Sequence, residues 1–243
     1  LGGAGGSGLS AAKDLQLTDI EVGHKLGGGN FGEVYYGTWQ GATPVALKRL
    51  KDQSQMAAFE AEAATLRALN HPNVVHMLGF FTHPVRGDRY IVTEYLAKGS
   101  LQTTLKADGD EIGLAEQLKM IAQAAAGMVY LQGKGIIHRD LATRNVLVSK
   151  QESRYVVKIA DFGLSRAATQ AGGGGGDAAG GENFYAASST REIPVKWSAP
   201  EVLRDGRYSH KSDVWAFAVL MWEVFEHGAM PFHYYSNREA AEA

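Results

Sequence analysis

The 243-residue chain sets 24 lysines and arginines against 26 aspartates and glutamates, for a net charge of −2 and an isoelectric point near 6.5. No basic excess points to nucleic acid or to an anionic membrane surface, and the absence of cysteine excludes disulfides and thiolate metal sites. The length suffices for a substantial core, and two lobes of unequal size are expected. No signal peptide is visible, and a start at Leu1 rather than Met suggests an excised segment, so any membrane tether would lie in flanking sequence. Residues 1–17 open with a Gly/Ala/Ser-rich run and read as a flexible leader.

A strand is expected over Ile20–Leu26, followed by Gly27-Gly28-Gly29-Asn30-Phe31-Gly32-Glu33-Val34, a GxGxxG with valine two residues beyond. Val34–Trp39 is rich in strand formers, where a dinucleotide-binding fold needs a helix. The reading is therefore a glycine-rich hairpin, which can lay backbone N–H groups over a triphosphate without side-chain obstruction. Pro44–Leu50 reads as the next strand, and Ser54–Leu69, dense in Ala, Glu, Gln and Leu, as a helix that Pro72 prevents from continuing. Tyr90–Leu96 is a strand running into a turn at Ala97–Ser100. Leu114–Leu131 is a helix whose apolar stripe of Leu114, Leu118, Ile121, Ala122, Ala125 and Met128 is expected in the core, closed by Gly133 and Gly135.

Three brief apolar runs, Gly135–Ile137, Val146–Val148 and Val156–Ala160, read as buried strands. Between and after them stand His138-Arg139-Asp140-Leu141-Ala142-Thr143-Arg144-Asn145 and Asp161-Phe162-Gly163. The glycine-rich stretch 172–181 cannot repay its ordering entropy and is expected to be disordered in the isolated chain. Val214–Phe225 carries one charge in twelve residues and reads as a core helix, too short to cross a bilayer.

HRDLATRN followed by DFG resembles the catalytic and magnesium loops of protein kinases. The glycine hairpin, Val45-Ala46-Leu47-Lys48, His71-Pro72-Asn73 and Ala199-Pro200-Glu201 fit the same family, over about residues 18–243. The resemblance implies an α+β, two-lobed fold. A small antiparallel sheet lobe with one helix would span 18–93, a hinge 94–99 and a partial, mainly helical lobe 100–243, with an activation segment at 161–201. The family's large lobe normally continues further, so the apolar central helix is expected to lack part of its cover, and Glu201 the arginine that usually pairs with it.

The resemblance also implies site roles. Asp140 would accept the proton of the substrate hydroxyl, and Asn145 and Asp161 would hold Mg2+. Lys48, steadied by Glu62, would hold the ATP phosphates, and Arg144 would neutralise charge on the transferred group. Gly27, Gly29, Gly32, Val34, Ala46, Thr93, Glu94, Tyr95, Leu96 and Leu147 would line the nucleotide site. His138 and Phe162 would pack in a spine with Leu66 and Met77, and Asp213 would brace the catalytic loop backbone. Ala142 with Arg144, and Pro194-Val195-Lys196-Trp197, resemble the tyrosine kinase group, so the expected partners are protein substrates bearing tyrosine and the expected compartment is the cytoplasm. A tyrosine-kinase-like serine/threonine or dual-specificity enzyme and a nucleotide-binding pseudokinase are the alternatives. Tyr185 would be an activation-loop phosphorylation site received by Arg139, while unphosphorylated loop would let Arg166 compete for Glu62.

Overall fold

The computed structural model describes residues 15–29, 32–50, 56–167, 185–186 and 193–242. The glycine-rich stretch expected to be disordered lies outside the described residues. The chain divides into two units, one running to Gln53 and including Met77–Tyr95, the other comprising Ser54–His76 and Leu96 onward.

The first unit is a five-stranded antiparallel sheet of β1 (Ile20–Gly29), β2 (Gly32–Trp39), β3 (Thr43–Arg49), β4 (Met77–Thr82) and β5 (Arg89–Glu94), in the order β1-β2-β3-β5-β4. Because side chains alternate along a strand, the register sorts the residues between two faces. One face carries Val45, Leu47, Phe81, Tyr90 and Val92, packed into a core with Ile20, Val22 and Tyr35. Of the leader expected over residues 1–17, residues 1–14 lie outside the described residues, and Leu15–Leu17 are tied to the sheet. Leu17 joins this core, its amide donates to the Phe80 carbonyl at 2.7 Å, and the Phe80 amide donates to the Leu15 carbonyl at 2.9 Å. An apolar side chain and two backbone bonds hold these residues against β4.

The second unit contains α1 (Met56–Arg67), α2 (Leu101–Asp108), α3 (Leu114–Gly133), α4 (Pro200–Asp205), α5 (His210–Phe225) and α6 (Asn237–Glu242). Its short strands are β6 (Gly99–Ser100), β7 (Ile136–Ile137), β8 (Val146–Gln151), β9 (Arg154–Ile159), β10 (Arg166–Ala167), β11 (Tyr185–Ala186) and β12 (Arg207–Tyr208). They pair as β6-β8-β9, β7-β10 and β11-β12, all antiparallel. By its contacts, which include the turn Phe162–Leu164, α1 falls in this unit, and Phe59, Glu62, Ala63 and Leu66 are buried along it. The sequence reading did not anticipate β4 or α2; α2 starts where the Ser100 hydroxyl accepts the Thr103 amide at 3.1 Å, a side-chain N-cap.

Two core expectations need correction. In α3, Leu114 and Leu118 are 63% and 50% exposed, and the buried face holds Gln117, Met120, Ile121, Ala124, Gly127 and Leu131. Gln117 Nε2 donates to the Val224 carbonyl at 3.3 Å, and a Cβ on Gly127 would stand 2.5 Å from the Asn73 carbonyl oxygen. A polar anchor and a close backbone approach therefore select the face, ahead of the richest apolar stripe. In α5, Val214, Trp215 and Trp222 are exposed, while the buried side carries Ser212, Asp213, Ala216, Leu220, Glu223 and Val224. Its orientation is set by two carboxylates that bond the loops described below. No helix among the described residues is long and apolar enough to cross a membrane.

Candidate active site

The buried strand β7 leads into the loop at His138. Arg139 adopts φ +73°, a left-handed conformation costing a non-glycine residue roughly 1–2 kcal/mol. Asp213 at the start of α5 offsets that strain. Its Oδ2 accepts the His138 amide at 2.7 Å and its Oδ1 the Arg139 amide at 3.0 Å. Burial pushes the Asp213 carboxyl above its ordinary value, opposed by the nearby His138 and by these two amides. The expected bracing of the loop by Asp213 is thus observed.

Beyond Arg139 the chain closes a 3-10 turn at Thr143–Asn145, with the Asn145 amide donating to the Ala142 carbonyl at 2.9 Å. This turn folds Arg144 and Asn145 back onto Asp140. Asn145 Nδ2 donates to Asp140 Oδ2 at 2.8 Å and to its carbonyl at 2.7 Å, while Arg144 Nη2 pairs with Asp140 Oδ1. The Arg144 guanidinium also lies 4.2 Å from the centroid of the Trp197 ring, within cation–π range. Asp140 therefore stands in a charge-assisted frame with both carboxylate oxygens engaged.

The β8–β9 hairpin brings Asp161 into the same region. Val146 faces Ile159 in the ladder, and one step out the Ala160 amide donates to the Asn145 carbonyl at 3.0 Å. Asp161, next along, is left-handed at φ +57° and accepts the Gly163 amide at 3.4 Å. His138 Nε2 lies 2.9 Å from the Ala160 carbonyl oxygen, and its ring is 5.5 Å from that of Phe162. An amide and a carboxylate held at adjoining positions are hard oxygen donors. They fit magnesium, which takes one or two carboxylates and completes its shell with phosphate oxygens and water. Leu96 and Leu147 pack together with Val75 and Ala160 beside this turn.

Within the first unit, Val34, Ala46, Lys48 and Thr93 share the sheet face opposite the core, while Glu94 pairs with the core residue Val45. Val34 pairs with Lys48, Ala46 with Thr93, and Gly27 with Val34, so these residues stand in cross-strand register. The strands of the hairpin remain paired out to Gly29 and Gly32; its tip, residues 30–31, lies outside the described residues. Tyr95 meets Tyr36 edge-on at 5.1 Å, just beyond Glu94 at the end of β5. Lys48 belongs to this unit and Glu62 to the other, where it is buried on α1.

Tyr185 pairs through its backbone with Tyr208, and the Tyr208 ring lies 4.2 Å under the Arg139 guanidinium. The strand bearing Tyr185 thus runs beside the residue that stacks on Arg139. The side chain of Arg166 lies outside the described residues.

Glu223 escaped the sequence reading. Fully buried on α5, it accepts the Thr143 amide at 3.0 Å, the Thr143 hydroxyl at 2.6 Å and the Trp197 indole N–H at 3.0 Å. Its signal was available: it is the lone charge in the apolar run Val214–Phe225, and such a charge needs partners.

Comparison with known proteins is consistent with this geometry. Residues 20–243 match the family described as protein tyrosine and serine/threonine kinase. The chain is 43% identical over 231 residues to tyrosine-protein kinase Fer of Homo sapiens, covering 94% of this chain and 26% of that protein. It is 40% identical over 243 residues to tyrosine-protein kinase SRK3 of Spongilla lacustris, covering 98% and 67% respectively. With tyrosine-protein kinase ABL2 of Homo sapiens the identity is 43% over 222 residues, covering 90% of this chain and 17% of that protein. The chain thus spans about a quarter of the length of Fer.

Proposed function

The chain belongs to the protein tyrosine and serine/threonine kinase family, and on that premise we propose that it transfers the γ-phosphate of ATP to tyrosine hydroxyls of protein substrates. The observation that carries the tyrosine assignment is Arg144, set between Asp140 and the Trp197 ring, with Ala142 at the position two residues after Asp140. A cation at Arg144 leaves the space beside Asp140 free of a lysine and lines it with the Trp197 platform, which suits a long, flat acceptor.

In this reading the tyrosine oxygen attacks the γ-phosphorus as the bond to the β–γ bridging oxygen breaks and ADP leaves. Asp140 takes the hydroxyl proton, and Arg144 balances charge on the transferred group. Magnesium, held by Asp161 and Asn145, would neutralise the phosphates. Lys48 would hold the α- and β-phosphates. The glycine hairpin with Val34, Ala46 and Thr93, the backbone of Glu94, Tyr95 and Leu96, and the Leu147 side chain hold the nucleotide. The protein's contribution is mainly positioning and electrostatics. Tyr185 is the proposed regulatory site; its phosphate would add about −1.5 to −2 charge and engage Arg139 through charge-assisted bonds.

The test is a pair of variants. Lys48→Met and Asp140→Asn are expected to lose phosphoryl transfer by roughly 10²-fold or more, while calorimetric titration with Mg-ATP still registers binding. Normal turnover by either variant contradicts the assigned roles.

A further inference from the structure

The two carboxylates of α5 bracket the catalytic loop from one rigid helix. Asp213 bonds the backbone at His138 and Arg139, immediately before Asp140. Glu223 bonds Thr143, three residues after it, through both the backbone amide and the hydroxyl. Glu223 alone reaches a second segment as well, because its Oε2 also accepts the Trp197 indole N–H at 3.0 Å. Trp197 in turn presents its ring to the Arg144 guanidinium, and Arg144 pairs with Asp140.

We propose that Glu223 is a positioning residue for phosphoryl transfer, coupling the acceptor platform at Trp197 to the aim of Asp140 through Thr143 on one side and Arg144 on the other. The proposal rests on the kinase reading above and adds to it a route by which the platform reaches the catalytic carboxylate. A fully buried carboxylate is costly, and well-packed apolar residues in its place are often neutral or stabilising. Fold stability therefore gives little reason for a glutamate at this position. Three donors converging from two separate loops give a geometric one. With the indole tethered, the ring cannot tilt away from Arg144 when an acceptor residue presses on the platform; with the Thr143 hydroxyl tethered, the turn that returns Arg144 and Asn145 to Asp140 stays closed.

Thr143 and Trp197 allow each arm of the tether to be cut separately from the Glu223 carboxylate. Thr143→Val is nearly isosteric and removes only the hydroxyl donor, Thr143→Ser restores it, and Trp197→Phe keeps an aromatic ring under Arg144 while removing the N–H. Initial rates with Mg-ATP and a tyrosine peptide are to be measured for the whole chain, with kcat and both KM values resolved, alongside melting temperatures. Thr143→Val is expected to lower kcat about tenfold, the order expected for losing a hydrogen bond to a charged group, with KM for Mg-ATP unchanged and Thr143→Ser close to wild type. Trp197→Phe is expected to lower kcat similarly and also to raise KM for the peptide. Wild-type kcat in both Thr143→Val and Trp197→Phe would overturn the proposal. So would a loss of activity that follows melting temperature alone and is not rescued by serine. Failure of the wild-type chain to phosphorylate the peptide has a different signature and would overturn the kinase reading, and the proposal with it.

Discussion

Glu33 sits between Gly32 and Val34 in the glycine hairpin proposed to cover the nucleotide. Lys25 on β1 bonds its carboxylate at 2.6 Å, Arg49 on β3 at 2.5 Å and the Tyr35 hydroxyl at 3.0 Å. One side chain thereby ties three adjacent strands. The Lys25 ammonium first, then the Tyr35 hydroxyl and the Arg49 guanidinium, hold the Glu33 carboxyl down from 4.5 to about 2. A carboxyl depressed on folding adds stability above its ordinary value and loses that contribution as pH falls through the folded one. The melting-temperature gap between wild type and Glu33→Gln should therefore be constant from pH 7 to about 4.5 and narrow progressively toward pH 2. A gap independent of pH across that window would show that the carboxylate charge is not what holds the hairpin.

At the scale of elements, legibility in the sequence depended on how local the deciding force was. The glycine hairpin, β3, β5 and the loop 138–145 could be read because each is a short string whose residue types carry their own backbone and charge requirements. The face of α3 could not, since Gln117 and Gly127 were chosen by Val224 and Asn73, partners remote in the chain. Leu15–Leu17 was missed for the same reason: its environment is made by β4. Gly79 is the receiving feature, where a Cβ would collide with the Leu15 carbonyl oxygen and crowd Leu17. Gly79→Ala should displace that segment, uncover Leu17 and destabilise the sheet unit by about 1.5–3 kcal/mol, the value of one buried leucine. Hydrogen exchange at the Leu17 and Phe80 amides, which form the two ends of this pairing, checks it. Unchanged protection there in Gly79→Ala would mean that the segment is not held by close approach to β4.

Across the whole molecule, chemistry was more legible than support. Every residue assigned to the phosphates, the metal or the proton lay in a recognisable string, as did Arg144 and Asn145, which hold Asp140, whereas the groups bracing the loop itself came from afar. Asp213 and Glu223 stand 75 and 80 residues beyond the loop atoms they bond. On the proposed function, this scaffold aims Asp140 at a tyrosine hydroxyl. The most direct test incubates the chain with γ-labelled Mg-ATP and matched peptides differing only in tyrosine or serine, and then identifies the labelled amino acid in peptide and enzyme. Label on tyrosine alone, including Tyr185 of the chain itself, and absent with Asp140→Asn, is the expected result. Label on serine or threonine, or transfer that survives Asp140→Asn, would contradict it.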